Sequence, residues 1–431
     1  MTAEPPETAE TAGAGRGTGL IGAAVIASSA LGFLLLSVLA RWLPPATYAT
    51  FLSVWGLVFG LGSAVGAIEP ELARQATRAR LAGSRPPAAA FQITGIALAA
   101  GLTATAVVAL VPAGRAALGG SVTVAVLAVV AVAGFVGQFF LRGLLLGAGR
   151  AGAYGYVIVA EAALRMVLAG VLVVAIASPS LPWATAVIVI GCYGWLPLAV
   201  PVLRSVSRDE GRVSWGAAAH TVTALGCANA LSALVLTAFP TLVTAVVGSA
   251  SSLATLFVVV TLARLPLVAL SPVQAMAVPI ATGLVHGGRS HVLLGLVLRL
   301  CVAAVAAAAV LGAAGWWLGP WAVRLLFGAS YDAPPAMVAW ALASSCLVAG
   351  ALLHAAVLIA VQRYWLVVAL WAAGAGAAVL GLLLTPGPPD QRGLVAFVVA
   401  GSAAWLCSAV LVVGAARGIA SQEPAGADPA G

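Results

Sequence analysis

Apolar residues dominate this chain in long runs, separated by short clusters of Gly, Pro, Arg and Trp. A run of about 20 apolar residues, wound as an α-helix, spans the ~30 Å hydrocarbon layer of a bilayer. The pattern predicts about twelve such helices, near residues 18–40, 48–68, 87–111, 121–146, 153–177, 183–203, 216–247, 252–284, 291–318, 335–361, 364–385 and 394–416. The eighth is too long for one straight crossing, and Pro266, Pro272 and Pro279 interrupt it. A broken helix is tolerated at membrane depth where it lines a cavity or is covered by neighbours. Gln274 adds a polar group to this segment, so it is a candidate cavity residue.

Composition agrees with an all-α integral membrane protein. The 431 residues are 62% hydrophobic and 7% charged, against about 25% charged in a soluble domain. The formal charge of +8 is carried entirely by arginine, since the sequence has no Lys. On a membrane protein such charge reports topology before anything else, so a nucleic-acid partner is not read from it. Arg16, Arg74, Arg78, Arg80, Arg85, Arg142, Arg150, Arg204, Arg208, Arg212, Arg289, Arg363 and Arg417 fall on one side of the predicted spans. The other side holds Arg41, Arg115, Arg324 and Arg392. The positive-inside rule then places both termini in the cytoplasm; the Arg-only, Gly- and Ala-rich composition reads as that of a GC-rich bacterium, so the expected location is a bacterial inner membrane. The first 17 residues carry Glu4, Glu7 and Glu10 ahead of Arg16, unlike a cleavable signal, and read as a disordered tail.

An internal repeat divides the spans. Ala49–Phe51 opens the second span much as Ala254–Phe257 opens the eighth. Arg115 and Gly119 precede the fourth span with the spacing of Arg324 and Gly328 before the tenth, and Arg150 corresponds to Arg363. The predicted organisation is therefore a tail over 1–17, a six-helix bundle over 18–203, a cytoplasmic linker over 204–215, a second six-helix bundle over 216–416 and a tail over 417–431. An even repeat keeps both halves in the same orientation, so the two bundles are parallel and related by an axis along the membrane normal.

Ionisable groups at membrane depth are candidates for function because they are costly there. Arg165 and Arg264 sit well inside their spans, while Arg299 is shallower and within snorkelling reach of the surface. Glu161 precedes Arg165 by one helical turn. The two make either a structural ion pair or a proton or cation coupling site, and these readings are compatible if protonation of Glu161 releases the arginine. The stretch EPELARQATRAR (Glu69–Arg80) presents a basic helical face to the anionic leaflet, with Arg74 as a candidate guide for a phosphate-bearing headgroup. His220 and His354 read as interhelical hydrogen-bonders, and Cys192, Cys227, Cys301, Cys346 and Cys407 as small hydrophobes. No metal-ligand spacing, nucleophile elbow or phosphate loop is present, and the outward loops are too short for a catalytic domain, so the chain is not read as an enzyme.

Several stretches resemble the polysaccharide flippases of the multidrug/oligosaccharidyl-lipid/polysaccharide exporter superfamily. These are LARWLPPATYATFLSVWGLVFGLG (Leu39–Gly62), LRGLLLGAGRAGAYG (Leu141–Gly155) followed by EAALR (Glu161–Arg165), TLARLPLVALSPVQAMAVP (Thr261–Pro279) and LLFGASYDAP (Leu325–Pro334). The resemblance implies a monomeric alternating-access transporter of two six-helix bundles around a central cavity, which moves undecaprenyl-pyrophosphate-linked glycans to the outer leaflet. Arg165, Arg264 and Arg74 would then bind the anionic substrate, and Gln274 and Arg299 would line its path. The implied cofactor set is empty apart from a coupling proton or sodium ion. The same superfamily contains multidrug antiporters, for which the carboxylate Glu161 would be the coupling group.

Overall fold

The computed structural model describes residues 7–86, 88–206, 215–286 and 290–420, and these form helices joined by short turns, with no strand among them. The chain forms two compact units, Met1–Ala230 and Leu231–Gly431. The first contains α1 (Glu7–Trp42), α2 (Pro45–Val65), α3 (Ile68–Leu81), α4 (Ala89–Leu110), α5 (Pro112–Ala117), α6 (Val122–Gly147), α7 (Ala151–Ala175), α8 (Leu181–Gly191), α9 (Leu196–Leu203) and the first part of α10 (Trp215–Leu236). The second contains the end of α10, α11 (Phe239–Val247), α12 (Leu253–Leu262), α13 (Leu265–Ala269), α14 (Ser271–His286), α15 (Ser290–Phe327), α16 (Pro335–Ala360), α17 (Tyr364–Leu384) and α18 (Pro389–Ala420).

Ten of these helices, α2 with α3 and α8 with α9 each counting as one, are long and apolar enough to cross a membrane. The number rises to eleven when α10 and α11, bent by 71°, count as one span. The expected eighth span departs from the pattern: α12–α13 covers only Leu253–Ala269, and α14 follows as a separate helix. The acidic prefix also departs from expectation. It is helical from Glu7 as part of α1, in keeping with the helix propensity of an Ala- and Glu-rich sequence. At the other end α18 runs on to Ala420, and 421–431 lie outside the described residues, as do 207–214 of the expected linker.

Proline sets the helix breaks. Its ring clashes with the carbonyl four residues earlier, so a continuous helix fails there. Pro70 acts on Gly66, between α2 and α3; Pro197 acts on Tyr193, between α8 and α9. Pro240 and Pro266 act in the same way on Leu236 and Leu262, the last residues of α10 and α12.

In the first unit α6 is central, packing against α2, α3, α4, α7 and α8. Its approach to α3 depends on Gly143 and Gly147, four residues apart, the spacing that lets membrane helices come close. A Cβ at Gly143 would sit 2.7 Å from Leu72 Cβ and 2.8 Å from the Glu69 carbonyl. One at Gly147 would overlap the Ala73 carbonyl and lie 2.9 Å from Thr77 N. Gly147→Ala is therefore expected to cost about 1–3 kcal/mol through overpacking. Gly152→Ala, where a Cβ meets nothing within 4 Å, should be neutral or slightly stabilising, and thermal unfolding in detergent compares the two.

The correspondence of Arg150 with Arg363 extends to the backbone. Arg150 precedes α7 at φ −91°, ψ 61°, and Arg363 precedes α17 at φ −93°, ψ 58°. Each follows a left-handed residue, Gly149 (φ 72°) or Gln362 (φ 59°). Each donates its N–H to the carbonyl five residues back, Leu145 or Leu358, at 2.9 Å.

In the second unit α16 packs on α15 and α18, and α18 on α17. His354 of α16 is fully buried between them. Its Nδ1 lies 2.9 Å from Ser408 Oγ of α18 and its Nε2 3.5 Å from Cys301 Sγ of α15, an interhelical role. The side chain of His220 lies outside the described residues. Large apolar side chains such as Val174, Trp317 and Leu110 face outward, as expected where lipid replaces water.

Candidate functional site

The first unit buries two charged clusters along the facing sides of α6 and α7. Phe135, Gln138 and Arg142 recur at three- and four-residue intervals on α6, as do Tyr154, Ile158, Glu161 and Arg165 on α7. Such intervals place side chains on one helical face.

Glu161 and Arg165 form the deeper cluster. Arg165 Nη2 donates to Glu161 Oε1, and Gln138 Nε2 of α6 donates to Glu161 Oε2. Both carboxylate oxygens are thus engaged, one by a cation and one by an amide. Arg165 Nη2 also lies 3.3 Å from Cys192 Sγ, and its Nε donates to the Ile188 carbonyl at 3.4 Å. The rings of Phe59 and Phe135 sit 4.9 and 5.7 Å from its guanidinium carbon, a favourable cation–π setting. The two residues are 9% and 5% exposed, so each depends on the other for neutralisation.

The α8–α9 break makes room for this pair. A Cβ at Gly191 would overlap Arg165 Cγ, and one at Gly194 would lie 3.2 Å from Glu161 Cα. Tyr193 Oη and Trp195 Nε1 donate to the Val130 and Gly134 carbonyls of α6 at 2.8 and 3.0 Å, which fixes the broken segment against that helix. Gln138 Oε1 is buried and finds no donor among the described residues.

The second cluster joins α3, α6 and α7. Tyr154 Oη donates to Glu69 Oε1 at 2.7 Å, and Arg142 Nη2 donates to Tyr154 Oη at 2.8 Å. Arg142 is also 3.1 Å from Glu69 Oε2 and packs on the rings of Phe139 and Tyr154 at 5.2 and 5.0 Å. Together the clusters hold two carboxylates and two guanidiniums, a neutral set. Tyr154→Phe removes the hydroxyl that links the two ions and is expected to cost about 1–3 kcal/mol, readable as a lower Tm.

The remaining candidates lie elsewhere. Arg74 on α3 is bidentate to buried Glu71, at 2.8 Å from Nε and 2.5 Å from Nη2, with its own side chain 42% exposed. Gln75 also donates to Glu71, at 2.9 Å. In the second unit Arg264, between α12 and α13, donates through Nη2 to the Thr237 carbonyl at 3.0 Å. Gln274 is half-buried on α14, and Arg299 is exposed on α15. The structure thus joins Glu161 to Arg165 directly and places Arg74 in a separate ion pair. Nothing in the sequence points to Gln138, a single polar position in an apolar run, and Cys192, which reads there as a small hydrophobe, also touches the Arg165 guanidinium. In the sequence Arg142 reports topology alone; in the structure it pairs with Glu69 and Tyr154.

No protein-family model matches the chain. An uncharacterised protein of Mycobacterium tuberculosis is 29% identical over 394 residues, covering 88% of this chain and 87% of the relative. An uncharacterised protein of Mycobacterium bovis is 29% identical over 232 residues, 51% of this chain and 50% of the relative. Among solved structures, a multidrug resistance MATE family transporter of the MOP superfamily in an inward-facing conformation superposes with a TM-score of 0.68, at 13% identity, over 92% of this chain and 96% of the other. The chain has the fold of MATE transporters. An outward-facing conformation of a multidrug resistance MATE family transporter gives a TM-score of 0.62 at 13% identity, over 94% and 96% of the two chains. A MATE transporter of Vibrio cholerae gives 0.57 at 15% identity, over 96% and 99%. The first two of these neighbours are described as multidrug resistance transporters.

Proposed function

We propose that the chain is a membrane exporter that exchanges a small organic cargo for a proton or sodium ion, with Glu161 as the coupling group. The observation that carries this reading is the buried Glu161 carboxylate, held by Gln138 on one oxygen and Arg165 on the other. The MATE fold supports it, because the solved neighbours are described as multidrug transporters. A proton or cation arriving at Glu161 weakens its hold on Arg165. A guanidinium does not give up its proton, so Arg165 must then find another partner or another position. That requirement converts occupancy of one carboxylate into a change in helix packing.

The arginine distribution favours a second reading, export of an undecaprenyl-pyrophosphate-linked glycan. On that reading Arg74, Arg165 and Arg264 meet the anionic headgroup, and Gln274 and Arg299 line the path of the sugar. The excess of arginine on one side of the spans sets the orientation, with both termini in the bacterial cytoplasm.

Purified protein in proteoliposomes separates the two. An imposed pH or sodium gradient is expected to drive a fluorescent cationic dye across the membrane. Movement of a lipid-linked oligosaccharide without dye transport would favour the second reading and overturn the first.

A further inference from the structure

A third group of charges lies outside both buried clusters. Arg80 at the end of α3, Arg85 just beyond it, Arg150 before α7 and Arg204 after α9 line one cavity of about 400 Å³. Its other wall is apolar and includes Leu144, Leu145, Val202 and Pro86. All four arginines are exposed, and none has a carboxylate within ion-pair distance among the described residues. Arg74, Arg142 and Arg165 of the same unit differ in this, since each holds a glutamate.

The backbone is shaped to this convergence. Gly149 adopts φ +72°, and a Cβ there would lie 2.7 Å from Arg80 Nη1. The α6–α7 turn thus leaves room for the Arg80 guanidinium beside Arg150. Four like charges gathered around one cavity repel one another, and an anion between them relieves that repulsion. Guanidinium groups match phosphate oxygens in geometry as well as charge. The cavity also lies at the ends of apolar spans, at the level where a bilayer carries its headgroups.

We propose that this cavity binds the headgroup of an anionic phospholipid, with the phosphodiester among the arginines and the first carbons of the lipid against Leu144, Leu145 and Val202. The apolar wall selects a lipid over free phosphate, which would leave that surface uncovered. This site is separate from Glu161 and stands whichever cargo the protein carries.

The test uses full-length protein in detergent, titrated with phosphatidylglycerol, phosphatidylcholine or inorganic phosphate, with retained lipid counted by native mass spectrometry and stability read as Tm. Phosphatidylglycerol is expected to bind and raise Tm, and the other two to do neither. Removal of each arginine should weaken binding about five-fold, so that Arg80→Gln with Arg150→Gln weakens it about 25-fold. Arg85→Gln with Arg204→Gln, on the same cavity, should give the same loss, and Arg417→Gln on α18 no loss. Equal retention of phosphatidylglycerol and phosphatidylcholine, equal protection by inorganic phosphate, or unchanged binding in both double variants would overturn the proposal.

Discussion

Glu161→Gln is expected to destabilise the protein by roughly 3–5 kcal/mol and to abolish transport, the largest effect of any single substitution considered. It leaves Arg165, 5% exposed, with a permanent charge and no counter-ion. Arg165→Met should be milder, because the stranded carboxylate can take up a proton and become neutral, an escape that arginine lacks. Combining the two changes removes both charges and replaces the arginine with an apolar side chain of similar length. The large cost of breaking a buried pair comes from the one charge left uncompensated, and the double variant leaves none, so it should recover most of the lost Tm. It should not recover transport if Glu161 is the coupling group. The three variants, each measured for Tm and flux, separate a structural ion pair from a working one.

The second large effect is expected at Gly191, where the broken α8–α9 segment meets α7. An added Cβ would overlap Arg165 Cγ and lie 2.6 Å from its Nε and 2.8 Å from its Cδ. Gly191→Ala therefore pushes Arg165 from its place between Phe59, Phe135 and Glu161. The expected cost is about 1–3 kcal/mol in stability, with a loss of flux larger than the fall in Tm alone would give. Gly170→Ala on α7 provides the comparison, since its Cβ meets nothing within 4 Å and both readouts should stay at wild-type levels.

The helical membrane fold was legible because its signals are long and redundant. Apolar runs, arginine at their ends and proline at their interruptions all repeat the same message along the chain. The Glu161–Arg165 pair was legible for a related reason: one helical turn separates the two, so a single helix brings them together. Contacts between helices were not legible. Gln138 lies 23 residues before Glu161 on another helix, and nothing in the spacing says that the two faces meet. Tyr154 and Glu69, 85 residues apart, meet only because Gly143 and Gly147 let α3 close onto α6.

The eighth span shows what hydropathy alone does not carry. The run over 252–284 is apolar enough for a crossing, but Pro266 removes the hydrogen bond to Leu262 and the chain restarts as α13 and then α14. Hydropathy measures the solvent a segment prefers and is blind to whether its backbone continues. The same limit applies to charge. Arg142 and Arg80 look alike in sequence, as basic residues near span ends, yet one is half-buried and paired with Glu69 and the other opens onto a cavity.

Dye flux in proteoliposomes under an imposed pH or sodium gradient, compared between wild type and the Glu161→Gln/Arg165→Met double variant, tests the coupling role most directly. Gradient-driven flux in the wild type and none in a double variant of near-normal Tm is the result expected here. Wild-type flux through that double variant would contradict it.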